Sequence, residues 1–271
     1  MTQDVSHAEI IRDGRGFYGS PLNAAALVCE YVSEAAGYYS LHNLWGFPAE
    51  TDDYILNDPD IYPYVLRVPN HILTATASLV VSLCDASRSE NSSQLSIGVL
   101  ARSLAEYSAL VWYLCDSAED FEMRYLKCCD TLRDSLVKSG AGRPTGPEVL
   151  KEVLCHLDEI GSNLRKRISS SPKKFNNANV IGQMDPLNGH SAYDHLSKYT
   201  HANVLVCDGL YSRPPERDLW MLLMRSAQWV ITALDRASRL SHVGHIFSER
   251  AQAFWHEINF LYQDFWIDGE A

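Results

Sequence analysis

Residues 97–116 read IGVLARSLAEYSALVWYLCD, and this stretch decides the fold class. At 100° per residue, its large apolar side chains form one broad face, and two more extend that face on its flanks. The face consists of Leu100, Leu104, Tyr107, Val111 and Leu114. Leu110 and Trp112 lie on its two flanks. A helix that is apolar most of the way round is typical of a buried position. The stretch therefore predicts a buried central helix.

The rest of the chain shows the same helical periodicity, and strand-like alternation bounded by hairpin dipeptides is missing. We therefore predict an all-α fold, with residues 1–271 forming a single multi-helix bundle of about seven to eight helices. The segment GAGRPTGP predicts a linker near 140–147 that joins two halves of the bundle. A long loop is expected near 170–190. Helices are predicted at about 21–44, 70–86, 92–116, 118–139, 147–169, 193–203, 216–243 and 248–266.

Composition limits the classes of partner. Twenty-three Lys and Arg against 34 Asp and Glu give a net charge of -11, which makes nucleic acid an unfavourable partner for the chain as a whole. The basic residues 165–167 with Lys173 and Lys174 form the best local patch, which we interpret as a solvated surface. Seven cysteines without a Cys-x-x-Cys pair, no signal peptide and no membrane span predict a cytoplasmic protein with reduced thiols.

Two charges interrupt the central helix before Asp116. Arg102 and Glu106 lie four residues apart, on one stripe with the small residues Gly98, Ala105 and Ala109, and with Tyr113. One interpretation is an exposed i,i+4 ion pair on a thin solvent-facing stripe, worth about 0.2–0.5 kcal/mol. The other is an arginine and a carboxylate that face a polar cavity between helices, where each charge needs the other.

A second polar stretch, YDHLSKYTHAN at residues 193–203, concentrates histidine, tyrosine and hydroxyl side chains. On a helical wheel, His195 and Tyr199 fall on the apolar side and are expected in the core, whereas Ser197 and His201 fall on the opposite side. A serine nucleophile also needs an orienting acid and an oxyanion hole, and neither is evident here.

Metal ligation is the other chemistry that such residues suggest. Helical bundles hold paired iron ions with inward carboxylates and Glu-x-x-His motifs. No Glu-x-x-His pair occurs among the glutamates and histidines of the predicted helices, and Glu152 with His156 fits a solvated helix face better. We therefore expect no metal and no cofactor.

The two polar stretches together resemble an uncharacterised bacterial all-helical family, a domain of unknown function. In that family, an Arg-x-x-x-Glu helix recurs with a Leu-Ser-x-x-x-His helix, and the resemblance covers roughly residues 92–206. It implies that five residues meet in space, namely Arg102, Glu106, Tyr193, Ser197 and His201. The helical wheel, by contrast, places His201 on the outward side. The resemblance implies no activity.

A more distant resemblance is to the HEPN helical domains, many of which are metal-independent ribonucleases of bacterial defence and toxin systems. The spacing of Arg236 and His242 in RASRLSH is similar to their signature. The polar residue that often follows the signature arginine is absent. The resemblance implies a ribonuclease as an alternative function.

These observations predict an interhelical pocket that binds a small polar or anionic molecule, with acid–base catalysis as an open question. Arg102 would bind an anionic group, Glu106 would orient Arg102 or move a proton, and His201 would be the general acid or base. Tyr193 and Ser197 would support them.

A non-catalytic interaction module is the remaining alternative, because the last quarter of the chain is rich in aromatic residues. These are Trp220, Trp229, Phe254, Trp255, Phe260, Tyr262, Phe265 and Trp266. Such density more often marks a core, but rings exposed on two terminal helices would make a dimer face. We therefore also predict a homodimer through the C-terminal aromatic helices.

Overall fold

The computed structural model describes residues 16–42, 44, 62–143, 145–199, 214–241 and 243–262. These residues contain helices and no strands, so the all-α prediction is confirmed. The ten helices of the described residues are α1 (Pro21–Ser40), α2 (Tyr62–Leu66), α3 (Val68–Arg88), α4 (Gln94–Leu114), α5 (Phe121–Lys138), α6 (Glu148–Arg167), α7 (Asn177–Met184), α8 (Gly189–Ser197), α9 (Glu216–Ser238) and α10 (Ile246–Tyr262).

Side-chain caps fix where several of these helices begin. The hydroxyl of Ser20 accepts the backbone N–H of Asn23 at 3.2 Å, and Pro21 occupies the first turn, as the Ser-Pro pair predicts. Ser93 caps α4 in the same way. Helix α5 begins at Phe121 and not near the predicted residue 118, because the side chain of Asp120 accepts the N–H of Met123 at 2.7 Å.

Four long helices form the centre of the fold. Helix α1 packs against α3, α3 against α4, α4 against α9, and α9 against α1, so the four enclose one core. Helix α10 lies across α1 and α9. The largest fully buried side chains of this core include Tyr39, Leu83, Leu104 and Trp229.

Helix α4 is buried as predicted, but its buried surface includes a stripe that the wheel left open to solvent. Gly98, Ala105 and Ala109 are buried, whereas Tyr107, which was placed on the apolar face, is 39% exposed. Small side chains allow neighbouring helices to approach α4 closely, so the stripe became a packing surface. Helices α7, α8 and α9 all contact α4.

The two predicted irregular segments have different outcomes. Residues 139–143 and 145–147 are not helical, and residue 144 lies outside the described residues. The segment connects α5 to α6, which pack against each other. The segment 170–189 was predicted to be a loop, yet it contains α7. Asn176 caps this helix, and Val180, Ile181 and Met184 are buried, so three apolar residues at helical spacing explain the difference.

The aromatic residues near the C terminus are mostly packed within the chain. Trp220, Trp229 and Tyr262 are buried, and the indole N–H of the half-buried Trp255 donates to the carbonyl of Met224 at 2.7 Å. Phe260 is 46% exposed. Phe265 and Trp266 lie outside the described residues. None of the described helices is both long enough and apolar enough to cross a membrane.

Candidate functional site

Helix α8 and the turn that follows it lie antiparallel to α4, along the stripe that carries the two charges. Tyr199 lies against Gly98, the carbonyl of Ser197 faces Arg102, and Tyr193 reaches Glu106. A Cβ atom on Gly98 would come within 2.5 Å of the Tyr199 ring, so glycine permits this close approach. The small-residue stripe of α4 therefore sets the position of α8.

Three predicted site residues, Arg102, Glu106 and Tyr193, form what we call the polar clasp. Oε1 of Glu106 accepts hydrogen bonds from Nε of Arg102 at 2.9 Å and from the hydroxyl of Tyr193 at 2.7 Å. The guanidinium carbon lies 5.5 Å from the centre of the Tyr193 ring. The side chains of Arg102 and Glu106 are 16% and 33% exposed, so this ion pair does not lie on an open solvent-facing stripe.

The clasp alters the acidity of its members. Burial, and then the hydrogen bond to the Glu106 carboxylate, raise the pKa of Tyr193 above its ordinary value. Burial lowers the pKa of Arg102, but the hydrogen bonds with Glu106 and Tyr193 outweigh it, so that pKa is raised. The arrangement therefore keeps Arg102 charged and Tyr193 neutral.

The other two predicted site residues are placed differently. The hydroxyl of Ser197 donates to the carbonyl of Tyr193 within α8, at 2.8 Å, and Ser197 meets Arg102 through its own carbonyl, 3.4 Å from Nη1. Ser197 therefore contacts the clasp through its backbone. His201 lies outside the described residues.

A cavity of about 420 Å³ lies beside the clasp, one turn nearer the start of α4. Helices α4, α8 and α9 form its walls, and the clasp residues are not among those that line it. Its apolar wall includes Ile97, Ala192, Leu222 and Trp229. The predicted site and the cavity are therefore neighbours and do not coincide.

A chain of hydrogen bonds enters the cavity from α4 and α8. Nε2 of His195 lies 3.1 Å from the hydroxyl of Tyr199, and Nε2 of Gln94 donates to the same hydroxyl at 3.1 Å. Burial raises the pKa of Tyr199, the hydrogen bond from Gln94 lowers it, and the nearby charge of Asp218 raises it.

The prediction that His195 packs in the core is wrong. Its side chain is exposed and lines the cavity, whereas Tyr199 is half-buried. Helix α8 has only nine residues and buries Gly189, Tyr193 and Leu196 against its neighbours. His195 does not lie on the side of this short helix that carries the buried residues. The helical wheel therefore predicted more burial for His195 than the structure has.

Helix α9 supplies two opposite charges to the same cavity. Asp218 and Arg225 both line it, and among the described residues neither has an ion-pair partner within 4.0 Å. Trp229, which is 1% exposed, also contributes to the wall, and its buried indole N–H has no hydrogen-bond partner in the described part of the chain. A donor that is buried without a partner is costly to the folded state.

Sequence reasoning missed Gln94, Asp218, Arg225 and Trp229. The last three lie seven and four residues apart along α9, so one side of the helix carries both charges and the indole. This spacing could have indicated that the three side chains face the same space. No pattern within α9, however, indicates that α8 leaves this side partly uncovered.

Arg236, the arginine of the HEPN-like spacing, contacts the end of α4. Its guanidinium carbon lies 3.5 Å from the centre of the Trp112 ring, and Nη1 donates to the carbonyl of Trp112 at 3.0 Å. Nη1 also lies 3.2 Å from Oδ2 of Asp116. These contacts neutralise the carbonyl end of α4, where a cation is favourable. His242 lies outside the described residues.

No group of three or more His, Cys, Asp or Glu side chains in the described ranges is arranged to hold a metal ion. No protein-family model matches this chain, and neither a curated protein nor a solved structure matches it.

Proposed function

We propose that this protein binds a small polar or anionic molecule in the cavity between α4, α8 and α9. The observation that carries the proposal is the convergence of His195, Asp218 and Arg225 on a largely apolar cavity. Its volume of about 420 Å³ falls within the range of about 300–1,000 Å³ that is typical of small-molecule sites.

The lining indicates the chemistry of the ligand. Arg225 would attract an anionic group, while Asp218 and the His195–Tyr199 pair would bind donors or acceptors at other positions of the ligand. Trp229 and Leu222 would pack against an apolar portion. A ligand with an apolar body and an anionic end fits this lining best.

Acid–base catalysis is the second candidate, and one contact favours it. The His195 imidazole is hydrogen-bonded to the Tyr199 hydroxyl in the cavity wall, and histidine is the side chain that most often acts as a general acid or base. Of the described residues, His195 is therefore the one we propose for proton transfer. Glu106 was predicted for this role, but both donors of the clasp bind its Oε1, which favours a positioning role.

Equilibrium dialysis against a small-molecule extract, followed by mass spectrometry, tests ligand binding. Ala192→Trp places an indole at a cavity-lining position of α8, and Val81→Trp places one on α3 at a residue that is 46% exposed and outside the cavity. We expect the natural chain and Val81→Trp to enrich the same compound and Ala192→Trp to lose it. Equal enrichment by all three proteins would contradict the proposal.

The thiols support a proposal about the cellular compartment. All six cysteines in the described part of the chain are free, and five of them are buried. Free buried thiols are usual in a reducing compartment, so we propose a cytoplasmic protein. The bacterial origin implied by the family resemblance remains a prediction.

The homodimer also remains a prediction. Three large apolar side chains of α9 and α10 are exposed, namely Met221 at 46%, Ile246 at 48% and Phe260 at 46%, while Trp220 and Trp229 are buried. The described residues therefore offer a small apolar area for self-association through α9 and α10. Sedimentation equilibrium at micromolar concentration tests it, and a single species with the mass of one chain would contradict it.

A further inference from the structure

A second cavity, of about 510 Å³, lies between α4, α5, α6 and the segment before α7. We call it the basic cavity, because six lysine or arginine side chains and only three aspartates line it. This surplus of three positive charges is unusual in a chain whose net charge is -11. The first cavity shows no such surplus, since it is lined by one arginine and one aspartate.

The two arginines pair with the three aspartates, so this group of five side chains carries one excess negative charge. Nε of Arg133 pairs with Asp158, and Nη1 of Arg133 lies 3.9 Å from Asp134. Nη2 of Arg165 pairs with Asp130. The Arg133–Asp158 and Arg165–Asp130 pairs join α5 to α6 on one side of the basic cavity, so the arginines contribute no net positive charge there.

One of the four lysines is also compensated. Nζ of Lys127 lies 2.5 Å from Oε2 of Glu119, donates to the carbonyl of Tyr113 at 3.1 Å, and lies 4.0 Å from the centre of the Tyr113 ring. Lys127 is 4% exposed, so its ammonium group stabilises the carbonyl end of α4 and is not open to a ligand.

Once Glu119 is counted with the lining residues, six positive and four negative charges leave a surplus of two. The ammonium groups that have no carboxylate partner are those of Lys138, Lys173 and Lys174. All three side chains are exposed, and no carboxylate of the described residues lies within 4.0 Å of them. Positive groups on a concave surface reinforce one another, because the protein walls keep part of the solvent away. We therefore expect a positive potential in this cavity, although the whole chain is acidic.

The segment that carries two of these lysines is fixed to the bundle. The hydroxyl of Tyr113 donates to the carbonyl of Lys173 at 2.9 Å, and the Tyr113 and Phe175 rings lie 5.1 Å apart. Asn176 then caps α7, which packs on α4. The lysines therefore project from a positioned backbone, which lowers the entropic cost of binding a ligand between them.

We propose that the basic cavity binds a polyphosphate group, in which several anionic oxygens lie close together. Three uncompensated ammonium groups match such a group better than a single negative charge, and lysine binds phosphate as a point charge. An extended nucleic acid would also meet the repulsive field of an acidic chain. A compact polyphosphate avoids most of that repulsion. This site is separate from the cavity of the proposed function.

Isothermal titration calorimetry with inorganic tripolyphosphate and with adenosine triphosphate, both without divalent cations, tests the proposal. The test variant is Lys138→Ala/Lys173→Ala/Lys174→Ala, and the matched control is Lys151→Ala/Lys166→Ala/Lys198→Ala, which removes three lysines that do not line the cavity. We expect the test variant to weaken tripolyphosphate binding by about tenfold or more, and the control by less than about threefold. Binding should also weaken as the salt concentration rises.

The two ligands distinguish inorganic polyphosphate from a nucleotide. Equal affinity for both supports recognition of the phosphates alone. If adenosine triphosphate binds more tightly than tripolyphosphate, and Phe175→Ala removes this difference in affinity, the proposal is supported and the polyphosphate group belongs to a nucleotide. Absence of saturable tripolyphosphate binding overturns the proposal, and so does equal weakening by the two triple variants. Binding of single-stranded RNA that depends on the three lysines, without tripolyphosphate binding, overturns it as well.

Discussion

The hydroxyl of Tyr193 on α8 donates a hydrogen bond of 2.7 Å to the carboxylate of Glu106 on α4. Arg102 binds the same carboxylate oxygen at 2.9 Å. The clasp thus joins a short helix to the central helix of the fold, directly beside the cavity whose wall that short helix forms. Loss of the clasp would therefore change the position of His195 as well as the stability of the protein.

A double-mutant cycle measures the energy of this contact. Glu106→Ala and Tyr193→Phe should each reduce the free energy of unfolding by about 1–3 kcal/mol. Glu106→Ala removes the acceptor of the Tyr193 hydrogen bond, and Tyr193→Phe removes its donor. The double variant should lose less than the sum, with a coupling energy of about 0.5–1.5 kcal/mol in urea unfolding. Tyr107→Phe, at a position 39% exposed on the same helix, should change stability by less than about 0.5 kcal/mol. Strict additivity of the two substitutions would contradict the contact.

The close approach of Tyr199 to α4 predicts opposite effects of the same substitution at two helical glycines. Gly98→Ala should lower the free energy of unfolding by about 1–3 kcal/mol, since its Cβ would meet the Tyr199 ring at 2.5 Å. Gly37→Ala on α1 meets nothing within 4 Å and should raise it by about 0.5–1 kcal/mol. Thermal and urea unfolding of both variants provide the comparison. Stabilisation by Gly98→Ala would show that α8 does not lie where the structure has it.

The raised pKa of Tyr193 predicts a loss of stability in alkaline solution. In the folded protein, burial and the Glu106 hydrogen bond hold this phenol neutral above its ordinary pKa of 10.0. The unfolded chain then releases its proton first, so the contribution of Tyr193 is complete below pH 10 and is lost as the pH rises toward the folded-state pKa. Between pH 9.5 and 11, about the range in which free tyrosine titrates, Tyr193→Phe should lose less stability than the natural chain. Parallel losses in the two proteins would argue against the shift.

Arg236 predicts a stability effect that separates a structural role from the ribonuclease alternative. Arg236→Ala removes its contacts with Trp112 and Asp116, and should lower the free energy of unfolding by about 1–3 kcal/mol. Arg239→Ala breaks an exposed pair with Asp235 and should cost less than about 1 kcal/mol. Total RNA that stays intact with the natural chain would count against the ribonuclease. RNA cleavage lost in Arg236→Ala, at a temperature where that variant is folded, would favour it.

The sequence predicted those features that depend on periodicity within one helix. The apolar surround of residues 97–116 indicated the central helix, and the Ser20–Pro21 pair indicated the start of α1. The positions of Arg102 and Glu106 allowed two interpretations, an exposed ion pair and a pair that faces a polar cavity between helices. Tyr193, on a distant stretch of sequence, was identified by the family resemblance and not by periodicity.

Features that depend on which helix covers which surface were not predictable in this way. The wheel placed His195 in the core because it assumed that α8 was buried on its whole apolar side, whereas the helix is short and covers only one stripe of α4. The cavity lies where α8 does not cover α9. Asp218 and Arg225 line the same cavity only because of this helix packing, which periodicity within one helix does not show. Helix α7 was missed because polar neighbours surround its three buried residues.

A crystallographic fragment screen tests the central claim, that the cavity beside the clasp is a ligand site, most directly. Crystals of the protein would be soaked with small carboxylates that carry an aromatic or aliphatic group. We predict that fragments cluster in this cavity, with the carboxylate within hydrogen-bonding distance of Arg225 and the apolar group against Trp229. Fragments that bind elsewhere while the cavity stays empty, or a cavity closed by direct contact of α8 with α9, would contradict the account.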